Sequence, residues 1–257
     1  MPASLVASLP WYEVPGTRVR WDRLWHRVRD ALMERGVEGV PETLDRETPL
    51  LAQWCSERLV LSQCCGSDLF LLEPPALQPV ARPVFSGLDC EPGDYYSYIA
   101  APVKRYATVR AAINNIGSRS GHLALAQWLA ARRHDVAEVI VTGSHAASLE
   151  ALRRGDADIA AIDAFSWRVV DTRGVETLGR TDAAPAPPFV SHVESPVPPA
   201  WIREALQVAI GRSGAAVALQ GAVRADPESY RRVFEAGWEA AARFPSPRPI
   251  SPGREAP

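Results

Sequence analysis

The sequence lacks the features that mark several large classes of protein. No run of apolar residues approaches the roughly 20 residues of a membrane-spanning helix. Lys and Arg number 28 against 30 Asp and Glu, so no basic excess indicates binding to nucleic acid. The start of the chain contains neither a basic segment nor a long apolar one, which is unlike a secretory signal peptide. We therefore expect no membrane insertion and no nucleic-acid partner. We expect a cytoplasmic location if the chain is complete, or a periplasmic one if a signal peptide has been removed.

Cysteine is scarce, and its positions do not form a metal-binding pattern. Cys55, Cys64, Cys65 and Cys90 lack zinc-ligand spacing, and no His pair accompanies them, so we expect no metal site. Buried or inert thiols, typical of a reducing compartment, are the main expectation. A strained vicinal disulfide between Cys64 and Cys65 stays open. A nucleophile elbow and a Walker loop are also absent, so the sequence predicts no cofactor and disfavours catalysis.

The middle of the chain alternates strands with helices. Strand-forming runs at 109–113, 138–143 and 158–162 are separated by helical runs at 123–133 and 145–154. Such alternation predicts a parallel sheet with helices on both faces. Outside this region the patterns predict strands at 5–9, 59–63, 80–85, 95–101 and 189–193, and helices at 19–35, 50–58, 199–211 and 227–244. Five prolines in 245–257 predict a disordered tail.

Polar residues follow each of the three strands in the middle region. Ser118, Arg119, Ser120 and Gly121 come after the first strand and open a helix, where backbone N–H groups and the helix dipole favour an anion. His145 follows the second strand, and Asp163 the third. Because the carboxyl ends of parallel strands share one edge of a sheet, we expect these groups to converge on a ligand.

Each of these residues also has a purely structural interpretation. The serine loop is an equally good helix N-cap, and Asp163 is a preferred residue type for capping the short helix expected after it. His145, at the start of a helix, has backbone groups within reach as hydrogen-bond partners. The sequence alone leaves these alternatives open.

Six segments together resemble the phosphate/phosphite/phosphonate solute-binding proteins of ABC transporters, across roughly residues 4 to 195. The segments are Trp11-Tyr12, Leu61-Ser62-Gln63, 93–98, 118–121, 143–149 and 157–167. The resemblance implies an α/β, two-lobed type 2 periplasmic-binding-protein-like fold with two crossover strands, near 99–103 and 185–190. Lobe one would comprise 1–100 plus 188–244, and lobe two 101–187.

The resemblance also implies a site in the cleft between the lobes. The implied oxyanion loop is Ser118, Ser120 and Gly121, with His145 as a donor and Asp163 as the acidic residue. The remaining implied ligand-binding residues are Tyr12, Gln63, and Tyr95 or Tyr96. Arg119 stands where a small or neutral residue is expected, which favours a carboxylate or a more anionic ligand.

Two functions from different classes are consistent with this site. The first is a solute-binding protein that closes two lobes around a small oxyanion, phosphonate- or phosphate-like or a carboxylate, with an ABC permease as its partner. The second is a cytoplasmic enzyme on the same fold, in which Asp163 and His145 act as acid and base on a small carboxylate substrate. We favour the binding protein because the sequence shows no nucleophile–base motif.

Overall fold

A computed structural model describes residues 4–14, 16–71, 76–102 and 109–249 of the chain. The strands of these residues are β1 Val6–Ala7, β2 Leu59–Gln63, β3 Leu77–Phe85, β4 Asp94–Tyr95, β5 Ser97–Ala101, β6 Val109–Ile113, β7 Val136–Val141, β8 Ile159–Asp163, β9 Glu176–Arg180, β10 Ala184–Pro185, β11 Phe189–His192, β12 Leu219–Arg224 and β13 Arg248–Pro249. The α-helices are α1 Arg18–Glu34, α2 Leu50–Trp54, α3 Asp68–Leu71, α4 Ala124–Ala131, α5 His145–Arg154, α6 Pro199–Ser213 and α7 Pro227–Ala241. A π-helical turn, Arg119–Leu123, precedes α4, and 3-10 turns lie at Ser166–Arg168 and Gly214–Val217.

The chain forms two compact units, each made of two separate stretches. Unit 1 comprises Met1–Tyr95 and Pro185–Arg231, and unit 2 comprises Tyr96–Ala184 and Arg232–Pro257. The chain therefore leaves unit 1 after Tyr95 and returns at Pro185. It passes to unit 2 a second time within α7, a passage that the sequence did not predict.

Unit 1 is built on a five-stranded sheet in the order β1-β2-β11-β3-β12. The first pair is parallel, and the pairs that involve β11 and β12 are antiparallel. Helix α1 buries Trp21, Leu24, Trp25, Val28 and Leu32. These residues recur at helical spacing, so the prediction of this helix was right. The buried face of α1 packs against α6.

Strand β3 runs through two prolines, Pro79 and Pro83. Its first half pairs with β11 and its second half with β12. Proline usually weakens a strand because it cannot donate to a ladder. The strand instead extends over nine residues. Pro79 pairs with β11 and Pro83 with β12, so each proline faces a partner strand on one side, as proline does at the edge of a sheet.

Unit 2 is built on a six-stranded sheet in the order β13-β7-β6-β8-β5-β9. Strand β6 pairs parallel with β7 and β8, as the sequence predicted, but β5 pairs antiparallel with β8 and β9. The expected parallel sheet is therefore a mixed one. Leu125 and Leu129 of α4 form a cluster with Ala111 and Ile113 on one face of the sheet. Leu149 and Leu152 of α5 form a second cluster with Ala112 and Ile140 on the other face. The prediction of helices on both faces is correct.

The C-terminal region differs from the expected lobe and tail boundaries. Phe234, Trp238, Ala240 and Ala241 of α7 pack with Leu123 and Ala126 of unit 2, whereas the sequence assigned this helix to lobe one. Residues 245–249, expected to be disordered, include β13, which pairs with β7. The remainder of the predicted tail, 250–257, lies outside the described residues.

The cysteines are thiols, and Cys64 and Cys65 form no vicinal disulfide. Both are buried, whereas Cys55 is exposed. Within the described ranges no cluster of His, Cys, Asp and Glu has the arrangement of a metal site. The same residues include no helix that is both long and apolar enough to cross a membrane.

Candidate functional site

The serine loop lies at the carboxyl end of β6 and begins the helix that continues into α4. Ser118 is the N-cap of the π-helical turn, because its Oγ accepts a hydrogen bond of 3.0 Å from the Gly121 N–H. The capping interpretation is therefore correct for Ser118. Capping leaves the hydroxyl hydrogen of Ser118 available, since a hydroxyl both accepts and donates. The π-helical turn is a rare conformation that occurs often at functional sites.

Gly121 is required by the close approach of Asn114, which follows β6. A β-carbon at position 121 would overlap the Asn114 side-chain oxygen. That oxygen, Oδ1, is buried and has no hydrogen-bond partner among the described residues. Buried polar atoms are almost always paired, so this acceptor beside the loop is unusual.

Ser120 and His145 meet across the ends of β6 and β7. Ser120 Oγ lies 3.2 Å from His145 Nε2, and the Ser120 carbonyl accepts a hydrogen bond of 3.0 Å from Ser97 Oγ on β5. The neighbouring Ser144 caps α5 by accepting from the Ala147 N–H, so His145 is the first residue of that helix. The convergence of the loops after β6 and β7 agrees with the sequence prediction.

The electrostatic environment of His145 combines burial with a nearby carboxylate. Desolvation lowers the pKa of His145, while the Asp163 carboxylate and the Ala161 carbonyl each raise it. The net shift is downward, so the ring is neutral at neutral pH. A neutral imidazole carries one N–H and one acceptor nitrogen, and it can therefore either donate to or accept from a bound ligand.

Asp163 is buried at the end of β8, opposite Ser97 of β5. Its Oδ1 accepts hydrogen bonds of 2.7 Å from the Phe165 N–H and 3.0 Å from the Ser166 N–H. The capping alternative is thus correct for one oxygen of Asp163. The negative charge of the Asp163 carboxylate also raises the pKa of His145. Asp163 therefore belongs to the same group of residues as Ser120 and His145.

The structure brings together in unit 2 the predicted residues of the second lobe. Ser118, Arg119, Ser120 and Asp163 are all buried there. Tyr96, which the predicted boundaries placed in lobe one, is also buried in unit 2. The Tyr96 carbonyl accepts from the Ala164 N–H, directly after Asp163. The Tyr96 ring lies under the Arg180 guanidinium, 4.9 Å from the ring centroid.

The predicted residues of the first lobe lie in unit 1. The Tyr12 ring is buried and packs edge-on against Phe85, with centroids 5.2 Å apart, as expected for a core residue. Tyr95 is buried on β4. Gln63 ends β2 and is buried, and its Oε1 has no hydrogen-bond partner among the described residues. Gln63 therefore offers an unused acceptor at a strand end.

A cavity of about 340 Å³ at the carboxyl end of β1 was not predicted. Its lining includes Ser8, Glu13, Arg46, Thr48 and Gln53. Arg46 donates to both carboxylate oxygens of Glu13, and these hydrogen bonds help to raise the pKa of Arg46. The 45–48 segment forms no strand, so its sequence pattern gave no reason to place it at the edge of a sheet. The charged run Asp45-Arg46-Glu47 was the only signal there.

Comparison with protein families supports the first of the two functional classes. A family model described as "ABC transporter, phosphonate, periplasmic substrate-binding protein" matches residues 73–230, more than half of the chain. The chain belongs to this family. The resemblance drawn from the sequence motifs is thereby confirmed, as is a solute-binding function. No curated protein matches the chain significantly.

Solved structures confirm the fold of this family member. PhnD1 from Prochlorococcus marinus in complex with methylphosphonate has a TM-score of 0.66 at 13% identity, covering 93% of this chain and 98% of that chain. A protein from Xanthomonas citri bound to ATP has a TM-score of 0.63 at 16% identity, covering 94% and 98%. The binding-protein component of an ABC phosphonate transporter from Pseudomonas aeruginosa has a TM-score of 0.60 at 10% identity, covering 94% and 96%. These similarities establish the type 2 periplasmic-binding fold.

Proposed function

We propose that the protein binds a small oxyanion of the phosphonate or phosphate type, and that unit 2 holds its charged end. The observation that carries this proposal is the convergence of the loops after β6, β7 and β8. Ser120 Oγ is 3.2 Å from His145 Nε2, and the charge of Asp163 raises the pKa of the same histidine. Family membership supports the choice of ligand class.

The donors of this group suit an anion. Serine hydroxyls and the N–H groups of the first helical turn would form charge-assisted hydrogen bonds with the ligand oxygens. The buried Arg119 adds a positive charge beside the loop. Asp163 requires a donor on the ligand, because a carboxylate repels a fully ionised group. We therefore infer that the preferred ligand carries a protonated oxygen or an amine.

The remaining site residues stay predictions. Tyr12, Gln63 and Tyr95 are proposed to contact the ligand, and closure of the two lobes around it is expected from the behaviour of hinged binding proteins. Family membership supports a permease partner and a periplasmic location. PhnD1, a protein of the same fold, binds methylphosphonate, which makes that compound the first probe.

Isothermal titration with methylphosphonate, phosphite, phosphate, an aminoalkylphosphonate and a small aromatic carboxylate tests the proposal. We expect at least one phosphorus oxyanion to bind more tightly than the carboxylate. Preference for the carboxylate, or binding of none of the five, would contradict it. Phosphorus NMR of the incubated mixtures checks the enzymatic alternative, because a binding protein returns its ligand unchanged.

A further inference from the structure

His122 directly follows the serine loop, Ser118 to Gly121, which we call the anion loop. Its side chain is buried and bonds to a residue on the other side of this loop. Its ring is 5% exposed, and Nδ1 lies 2.6 Å from the Ile116 carbonyl oxygen. Because a carbonyl only accepts, Nδ1 carries the hydrogen of this bond. The bond joins the residue after the loop to a residue before it. The segment from Ile116 to His122, which contains Ser118 and Ser120, is therefore closed at its two ends.

The second half of α7 supports this histidine from outside the loop. The Trp238 ring meets the His122 ring edge-on, with centroids 6.0 Å apart, and Phe234 packs edge-on against Trp238. Gly237 lets the helix approach closely, since a β-carbon there would lie 2.6 Å from Leu123 Cβ. The imidazole is thus held in one orientation by packing, as well as by its hydrogen bond.

The conformation of the loop needs such support. A π-helical turn is rarely populated, and it persists only where its surroundings hold it in place. The Ser118 cap restrains the start of this turn through Gly121, and His122 restrains the same segment through Ile116. Burial lowers the pKa of His122, although the hydrogen bond to Ile116 raises it. A lowered pKa favours the neutral ring, and the Ile116 carbonyl selects the tautomer that carries its hydrogen on Nδ1.

We propose that His122 is a positioning residue for the anion loop: its Nδ1–H bond to Ile116, braced by Trp238, holds Ser118 to Gly121 in the conformation that binds ligand. This inference rests on the proposed function, because it assigns a role in the same site. In this proposal His122 acts on the loop and not on the ligand. The part of the side chain that matters is therefore a single donor at the δ position, and an asparagine amide can supply that donor.

Two substitutions separate the hydrogen bond from the packing. His122→Leu fills much of the space without a donor, and His122→Asn restores the donor but loses the ring contact with Trp238. Loss of one neutral hydrogen bond changes an equilibrium by about twofold to twelvefold, which corresponds to roughly 0.5–1.5 kcal/mol. We expect His122→Leu to weaken methylphosphonate binding by this factor and to speed amide hydrogen exchange at 117–121 correspondingly. His122→Asn should stay near wild type in both measurements while its melting temperature falls.

The matched control is His134→Leu, which removes an exposed imidazole that stacks on Trp128 in the same unit. It should leave binding and the exchange at 117–121 unchanged. Equal losses of melting temperature in both His122 variants, with binding and exchange at wild-type values, would show a packing role alone and overturn the proposal. If wild type binds neither methylphosphonate nor inorganic phosphate, the proposed function fails. The exchange measurements, which need no ligand, still decide whether His122 holds the loop.

Discussion

Ser120→Ala gives the sharpest test of the anion loop. The substitution removes a hydroxyl that lies 3.2 Å from His145 Nε2, at a position with 9% exposure. A hydrogen bond to a charged ligand contributes roughly 1.5–3 kcal/mol. Because about 1.4 kcal/mol is a factor of ten, the dissociation constant should rise by about ten- to a hundredfold. Isothermal titration with the tightest of the phosphorus oxyanions measures this directly.

A control variant separates loss of a ligand contact from loss of a structural bond. Ser229→Ala removes a serine hydroxyl at the exposed start of α7. That hydroxyl donates to the Asp226 carbonyl and lies outside the proposed site. We expect Ser229→Ala to bind ligand as wild type does, and Ser120→Ala to unfold at nearly the wild-type denaturant concentration. If Ser120→Ala binds the oxyanion as tightly as wild type, Ser120 serves only to orient His145 and the loop does not hold the anion.

Three further expectations follow from the structure. Gly121→Ala should destabilise the fold by roughly 1–3 kcal/mol, because the new methyl group would overlap the Asn114 side chain. Gly211→Ala, in a helix with open space around it, should stabilise the fold by about 0.5–1 kcal/mol. Denaturant titration of both variants measures the contrast. Asp163→Asn should lower the pKa of His145 further, because the carboxylate raises it, and an NMR titration that shows no change would contradict this. Burial raises the pKa of Asp68 to about 6, so the folded protein holds this proton more tightly than the unfolded chain does. The unfolding free energy should therefore fall by up to roughly 3 kcal/mol as pH rises from about 4 through 6. Asp68→Asn should remove that fall.

The sequence predicts most strongly those elements whose side chains share one buried face. Helix α1 and strand β2 have the expected positions because their apolar residues recur with a helical period or form a continuous buried run. Strand β9 was missed because all five of its residues are exposed at the edge of a sheet, and nothing local distinguishes them from a loop. Strand β12 was missed because a glycine lies in its interior, and because its partner strand, β3, is distant in the sequence.

The candidate site shows a similar division. The strand-end positions of Ser120, His145 and Asp163 follow from the alternation of strands and helices, which brings parallel strand ends to one edge. The role of His122 could not be predicted, because its partner Trp238 lies more than a hundred residues later in the chain. Asp163 caps a turn, and its carboxylate also raises the pKa of His145, so its capping role does not separate it from the other strand-end residues.

The split of α7 between the two units has a consequence for protein engineering. An excised fragment of 96–184 would keep the loops after β6, β7 and β8, but it would expose the surface of Leu123 and Ala126 that Ala240 and Ala241 cover. It would also lose Trp238 beside His122, and β13, which pairs with the outer side of β7. An excised unit that keeps the serine loop packed as in the whole chain must therefore join 96–184 to 232–249 through a new linker, rather than copy one continuous segment of the gene.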